Sequence, residues 1–175
     1  TYTNTSNVPP ASIALCIGVK DTYITTDFTV TLAVTAVNDA PVASATPAEP
    51  TQGLGGTAVE LFADVAISTV EPDQAITSLT LTVGGLRDGA AETLRIDGEA
   101  IALVAGNGVT TANGYSYTIT LADGTATVTV TRADGMSPDA AAALVQGLAY
   151  ANVSQNGTAG ERVSRTARID LDPPD

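Results

Sequence analysis

The chain contains no histidine and no tryptophan, and Cys16 is its single cysteine. Without imidazole, zinc or copper sites built from His and Cys are excluded, and Ser-His-Asp and Cys-His catalytic schemes lose their base. A lone cysteine rules out an intramolecular disulfide. Lying in the apolar run Ser12-Ile13-Ala14-Leu15-Cys16-Ile17-Gly18-Val19, it is expected to fill core space. Aromatic residues make up only 4% of the chain, so a core has to be built from Val, Leu, Ile and Ala. Paired carboxylates alone can hydrolyse glycosides. Five tyrosines, two phenylalanines and no tryptophan supply little for an aromatic sugar cleft, and no enzymatic activity is expected. Positive charge is also scarce. Seven basic residues face nineteen acidic ones, for a net charge of −12. Such a chain is repelled by nucleic acid and by anionic membrane surfaces, and attracts cations. No apolar run reaches the roughly 20 residues of a membrane-spanning helix, and no signal-peptide pattern is read.

What is abundant is Thr, Val and Ala, broken by Gly and Asp, the composition of many short strands joined by turns. At 175 residues the chain suits one full domain plus a fragment, or one larger β domain. Residues 76–83 (Ile-Thr-Ser-Leu-Thr-Leu-Thr-Val) alternate most cleanly, which predicts a strand with Leu79, Leu81 and Val83 facing a core. Residues 115–121 and 125–131 predict a hairpin across Ala122-Asp123-Gly124. Shorter strands are expected at 92–97 and 100–104, and another at 162–171. Asn107-Gly108 and Asn113-Gly114 read as turns. One helix interrupts this pattern: Ser137 as N-cap, Pro138 at the first helical position, an alanine-rich run, and Gly147 as the stop.

Two features give the chain a frame. The strand pattern of residues 28–34 runs into Thr35-Ala36-Val37-Asn38-Asp39-Ala40-Pro41, where Pro41 blocks continuation. This reads as a joint between packing units. In addition, Tyr2-Thr3-Asn4-Thr5-Ser6 matches Tyr150-Ala151-Asn152-Val153-Ser154 one domain's length later, and both lead through a polar loop into a β run. A repeat of that size points to an array of whole β domains. Residues 1–37 then supply the C-terminal strands of one repeat. Residues 38–175 form the next, lacking its last strand.

Four stretches, in order, resemble bacterial cadherin-like or immunoglobulin-like tandem repeats of giant secreted, RTX-type adhesins. They are Ala36-Val37-Asn38-Asp39-Ala40-Pro41, Ile67-Ser68-Thr69-Val70-Glu71, Leu79-Thr80-Leu81-Thr82-Val83-Gly84-Gly85-Leu86 and Gly147-Leu148-Ala149-Tyr150-Ala151-Asn152. The resemblance implies an all-β fold, an immunoglobulin-like or cadherin-like β-sandwich with one short inserted helix. It also implies calcium-dependent rigidity, secretion to the extracellular cell surface, and a part in adhesion or biofilm. The Gly-Gly-x-Gly-x-Asp nonapeptides of a calcium-loaded β-roll are absent from the sequence, a departure from that group.

Calcium takes six to eight oxygen ligands. Asn38 and Asp39 at the joint are the natural nucleus for Ca2+. Glu71 and Asp73, in a turn held by Pro72, and Asp21, on the preceding strands, are further candidates. Asp170 and Asp172, two apart on a strand, share a face and suit an equivalent site. The competing reading is that these acids close Asx-turns and keep the surface solvated. None is spaced as an EF-hand. The expected function is a calcium-stiffened structural or adhesive module whose partners are neighbouring copies of the same repeat. Two alternatives stand beside it. One is a subunit of a self-assembling filament, accepting from a neighbour the strand type of residues 27–37. The other is a carbohydrate- or receptor-binding module that meets cell-surface glycans.

Overall fold

Alternation of apolar and polar residues decides most of this architecture, and residues 76–84 show it best. In the computed structural model, which describes residues 6, 9–35, 39–48, 57–70, 74–154 and the backbone of 166–172, Ile76, Leu79, Leu81 and Val83 are buried, while Thr80 and Thr82 are half-exposed and Thr77 is exposed. Among the described residues the chain is all-β with one α-helix, its strands gathered in several sheets. It divides into two compact units, Thr1–Asp39 and Ala40–Asp175.

Among its described residues the first unit holds an antiparallel hairpin of β1 (Ser12–Lys20) and β2 (Thr25–Ala33). Its register sets Ile13 opposite Leu32, Leu15 opposite Val30 and Ile17 opposite Phe28. Because cross-strand partners share a face, these residues and Val19 form one apolar side. The other side carries Ala14, Cys16, Thr29 and Thr31. The expectation that Cys16 fills a core is therefore corrected: it is exposed, with Sγ 3.5 Å from the Thr29 hydroxyl. Alternation along β1 sets Cys16 opposite Thr29, on the side that carries Ala14 and Thr31.

The second unit contains β3 (Val42–Pro47), β4 (Val59–Glu60), β5 (Phe62–Ser68), β6 (Ile76–Gly84), β7 (Glu92–Ile96), β8 (Glu99–Ala102) and β9 (Gly106–Val109). These are followed by β10 (Ser116–Ala122), β11 (Thr125–Met136), α1 (Pro138–Gln146), β12 (Ala149–Asn152) and β13 (Thr166–Asp172). A five-stranded sheet runs β13-β6-β11-β10-β9, a four-stranded sheet β4-β12-β7-β8, and β3 pairs with β5. One buried cluster draws on both large sheets: Leu79, Leu81, Val83, Ile119, Val128 and Val130 from the first, Leu94, Ile96, Ile101 and Tyr150 from the second. Burial of this kind, about 25 cal/mol per Å2 of apolar surface, is what offsets the entropy of ordering the strands.

Local chemistry explains the connections. Both two-residue hairpin turns, Asp97-Gly98 and Asp123-Gly124, hold both residues at positive φ, the I′ geometry whose twist matches that of paired strands. The helix starts where Ser137 Oγ accepts from the Ala140 N–H at 3.2 Å, and stops at Gly147, whose N–H donates to the Ala143 carbonyl. Leu144 and Val145 bury its apolar face. Asn107-Gly108 is a second correction. It lies inside β9, with Gly108 opposite Tyr117 on β10. A Cβ on Gly108 would collide with the Tyr117 ring, so this glycine serves a close cross-strand approach rather than a turn.

Candidate functional site

The acids proposed from sequence fall in different environments. Asp21 sits at the β1–β2 turn, where its Oδ1 accepts from the backbone N–H groups of Ile24 at 2.7 Å and Tyr23 at 2.8 Å. Those two bonds, from Ile24 first and then Tyr23, hold its carboxyl below the usual range. Asp39 is exposed and is the last residue of the first unit. Asn38, Glu71 and Asp73 lie outside the described residues. Asp170 and Asp172 occupy β13 positions opposite Thr80 and Ser78 of β6, one register face of the strand. Among the described residues, no group of three or more Asp, Glu, Cys or His lies close enough to hold a metal ion. The chemistry of the proposed donors, all oxygen with no nitrogen or thiolate, fits a hard cation such as Ca2+.

Two polar constellations escape a reading of sequence alone. In the first, the β7–β8 turn receives the segment between β9 and β10. Asp97 Oδ2 accepts from the Thr110 hydroxyl at 2.7 Å and the Asn113 N–H at 2.8 Å, while its Oδ1 takes the Asn113 side-chain amide. Glu99 Oε1 accepts from the hydroxyl and backbone N–H of Thr111. Desolvation of Asp97 opposes its ionisation, but the hydrogen bonds from Thr110 and Asn113 and the charge of Arg132 outweigh it, and its pKa is lowered. Glu99 is lowered as well, chiefly by the Thr111 hydroxyl and then by the Thr111 backbone. Beside this knot is a cleft of about 420 Å3, lined by Asp97, Asn113, Tyr115, Arg132 and the helix residues Ala143 and Leu144. The Arg132 guanidinium lies 5.7 Å from the centroid of the Tyr115 ring, a cation–π contact that occupies the cleft's aromatic face. Both Asp97 oxygens are committed to the loop, so the arrangement is suited to holding the loop in place.

The second constellation is buried. Glu92 has no exposed surface. Its Oε1 accepts from the Arg87 and Asp88 N–H groups, the latter at 2.8 Å, and its Oε2 accepts from the Tyr150 hydroxyl. Asn152 donates its amide to Asp88 Oδ2 at 2.6 Å and accepts from the Ser154 N–H at 2.8 Å. Tyr-x-Asn-x-Ser, visible in the sequence as a repeat mark, is thus in its second copy a polar staple. It fastens β12 and the residues after it to the loop entering β7. The carboxylate at its centre had a sequence signal: Glu92 shares parity with buried Leu94 and Ile96, and an acid on the core side of a strand has to find donors.

No protein-family model matches the chain, and neither a curated protein nor a solved structure shows significant similarity to it.

Proposed function

We propose that the chain is a structural and adhesive repeat module of a large secreted bacterial surface protein or fibre. Its second unit is an immunoglobulin-like or cadherin-like β-sandwich with one inserted helix. Its rigidity comes from Ca2+ taken up at the acidic linking segment around Asn38 and Asp39, and its partners are neighbouring copies of the same repeat. The observation that carries this reading is the division of the chain at Asp39–Ala40, within the segment where the Tyr-x-Asn-x-Ser repeat sets a boundary between equivalent units. The polar constellations support a mechanical role, because their acids are consumed in fastening loops and strands, and the reading assigns the chain no catalysis. Oxygen-rich segments without imidazole or thiolate select hard cations. The residues that would hold the ion are Asn38 and Asp39, with Asp21, Glu71 and Asp73 as further donors, and Asp170 and Asp172 at an equivalent position.

A thermal melt with and without calcium tests this. A ligand that binds only the folded state at a hundredfold excess over Kd stabilises by about 2.7 kcal/mol. The expected outcome is a midpoint that rises with calcium, falls back with chelator, and loses the shift in Asp39→Ala. A calcium shift left intact in that variant would sink the assignment to the linking segment, and no shift at all would sink the calcium role.

A further inference from the structure

Asparagine followed by glycine is chemically labile, because the glycine nitrogen can close onto the asparagine side chain with no Cβ in the way. The chain has three such pairs: Asn107-Gly108, Asn113-Gly114 and, outside the described residues, Asn156-Gly157. The first two share their chemistry and differ in their surroundings. Asn107-Gly108 is extended within β9, opposite Thr118 and Tyr117 of β10, and the Tyr117 ring fills the space beside Gly108. Ring closure there would have to break the ladder. Asn113-Gly114 lies in the connection between β9 and β10, where residues 111–114 are all exposed. Gly114 has a φ of 69°, and nothing lies within 4 Å of where its side chain would stand. Among the described residues its N–H has no hydrogen-bond partner, so the attacking nitrogen is not tied down.

One restraint acts on that pair. The Asn113 side-chain amide donates to Asp97 Oδ1, and its backbone N–H donates to Asp97 Oδ2 at 2.8 Å. Both grips come from a single carboxylate. We infer that Asn113 is a deamidation site that Asp97 holds in check, and that its conversion unfastens the loop between β9 and β10. The Gly114 amide nitrogen attacks Asn113 Cγ. The side-chain nitrogen leaves as ammonia, taking the proton from the Gly114 nitrogen, and a five-membered succinimide remains. Water then opens either of its carbonyls, giving aspartate or isoaspartate at position 113. Either product sets a carboxylate where an amide donor stood, against Asp97, whose charge already acts on Glu99. Asp97 loses a donor and gains a like charge. Isoaspartate also lengthens the main chain by one carbon. No step in this sequence uses calcium, so the inference stands or falls apart from the module reading.

Peptide mapping by mass spectrometry, on the full chain held in warm, mildly alkaline buffer, reads conversion site by site. In the folded chain Asn113 should convert slowly and Asn107 not at all, whereas in urea both should convert fast. Asp97→Gly suits the β7–β8 turn, since Gly-Gly also adopts the I′ geometry. It should speed conversion at Asn113 about tenfold or more, as expected when a hydrogen bond to a charged group is lost, and leave Asn107 unchanged. Glu99→Gln disturbs the same loop at Thr111 without touching Asn113, and should have much less effect. Asn113→Asp reproduces the product directly. Its melting midpoint should fall by at least about 2 °C, and the reversed pair Asp97→Asn/Asn113→Asp should recover most of that loss. An unmoved Asn113 rate in Asp97→Gly overturns the inference. Equal acceleration by Glu99→Gln, or parallel acceleration at Asn107, overturns it too, because general loosening would then set the rate. An unchanged midpoint in Asn113→Asp would show that conversion does not unfasten the loop.

Discussion

Glu92 is a fully buried acid whose every hydrogen bond comes from the protein itself. Its carboxylate has no exposed surface and is fixed by two backbone N–H groups and the Tyr150 hydroxyl. Glu92→Ala strands those donors in a buried site, and chemical denaturation should show a loss of about 3 kcal/mol or more. Tyr150→Phe removes one donor and should cost about 1–2 kcal/mol. If the two changes together cost the sum of their separate effects, the staple is not a coupled unit. Asp97 makes a prediction about pH. Its folded pKa lies below its unfolded value, so its contribution is complete above the ordinary carboxylate pKa of about 4 and is lost as pH falls through the lowered value. The stability difference between the native chain and Asp97→Asn should be largest near neutrality and shrink below about pH 4. A difference constant down to pH 2 would show that ionisation of Asp97 does not matter. These roles were hard to read because an acid in a turn looks the same whether it holds a metal, a loop or water.

Elements were more legible than residues. Ser137-Pro138-Asp139 marks a helix start from sequence alone, and the cap bond to Ala140 is present. Ser137→Ala should lower stability by about 1 kcal/mol, while Ser137→Asp should restore most of it. An unchanged midpoint for the alanine variant would mean that packing of Leu144 and Val145 holds the helix without its cap. Asp123-Gly124 closes the β10–β11 hairpin as its residues predict. Asn107-Gly108 carries the same kind of signal but lies within a strand, because the Tyr117 ring needs the space that a side chain at Gly108 would fill. Local turn propensity yielded there to a cross-strand contact. β11 likewise extends to Met136, past a register shift between Thr131 and Met136, with Gly135 at positive φ. A strand that changes register loses its simple period, and with it the signal that would have marked its end.

At the scale of the whole molecule, the two units differ in what they can bury. Residues 40–175 enclose a core of aliphatic side chains drawn from both large sheets and the helix. The described hairpin of residues 12–33 leaves its apolar side exposed. The proposed calcium role is read at this scale, from a melt with and without chelator and from the loss of the calcium shift in Asp39→Ala.

The β6 alternation, the β10–β11 hairpin with its Asp123-Gly124 turn, the helix with its caps and the all-β class were settled by residue order, because propensity, turn chemistry and alternation act over a few neighbours. Exclusion of thiolate–imidazole metal sites, of a histidine base and of intramolecular disulfides required only composition. The partners of Glu92, Asp97 and Glu99, and the exposure of Cys16 and the hairpin's apolar side, were decided by the tertiary structure. Each depends on contacts or pairings between residues distant in the chain, such as Glu92 with Tyr150 or Cys16 with Thr29. A period-2 pattern says that one side of a strand is apolar, but only the packed chain says whether anything lies against it.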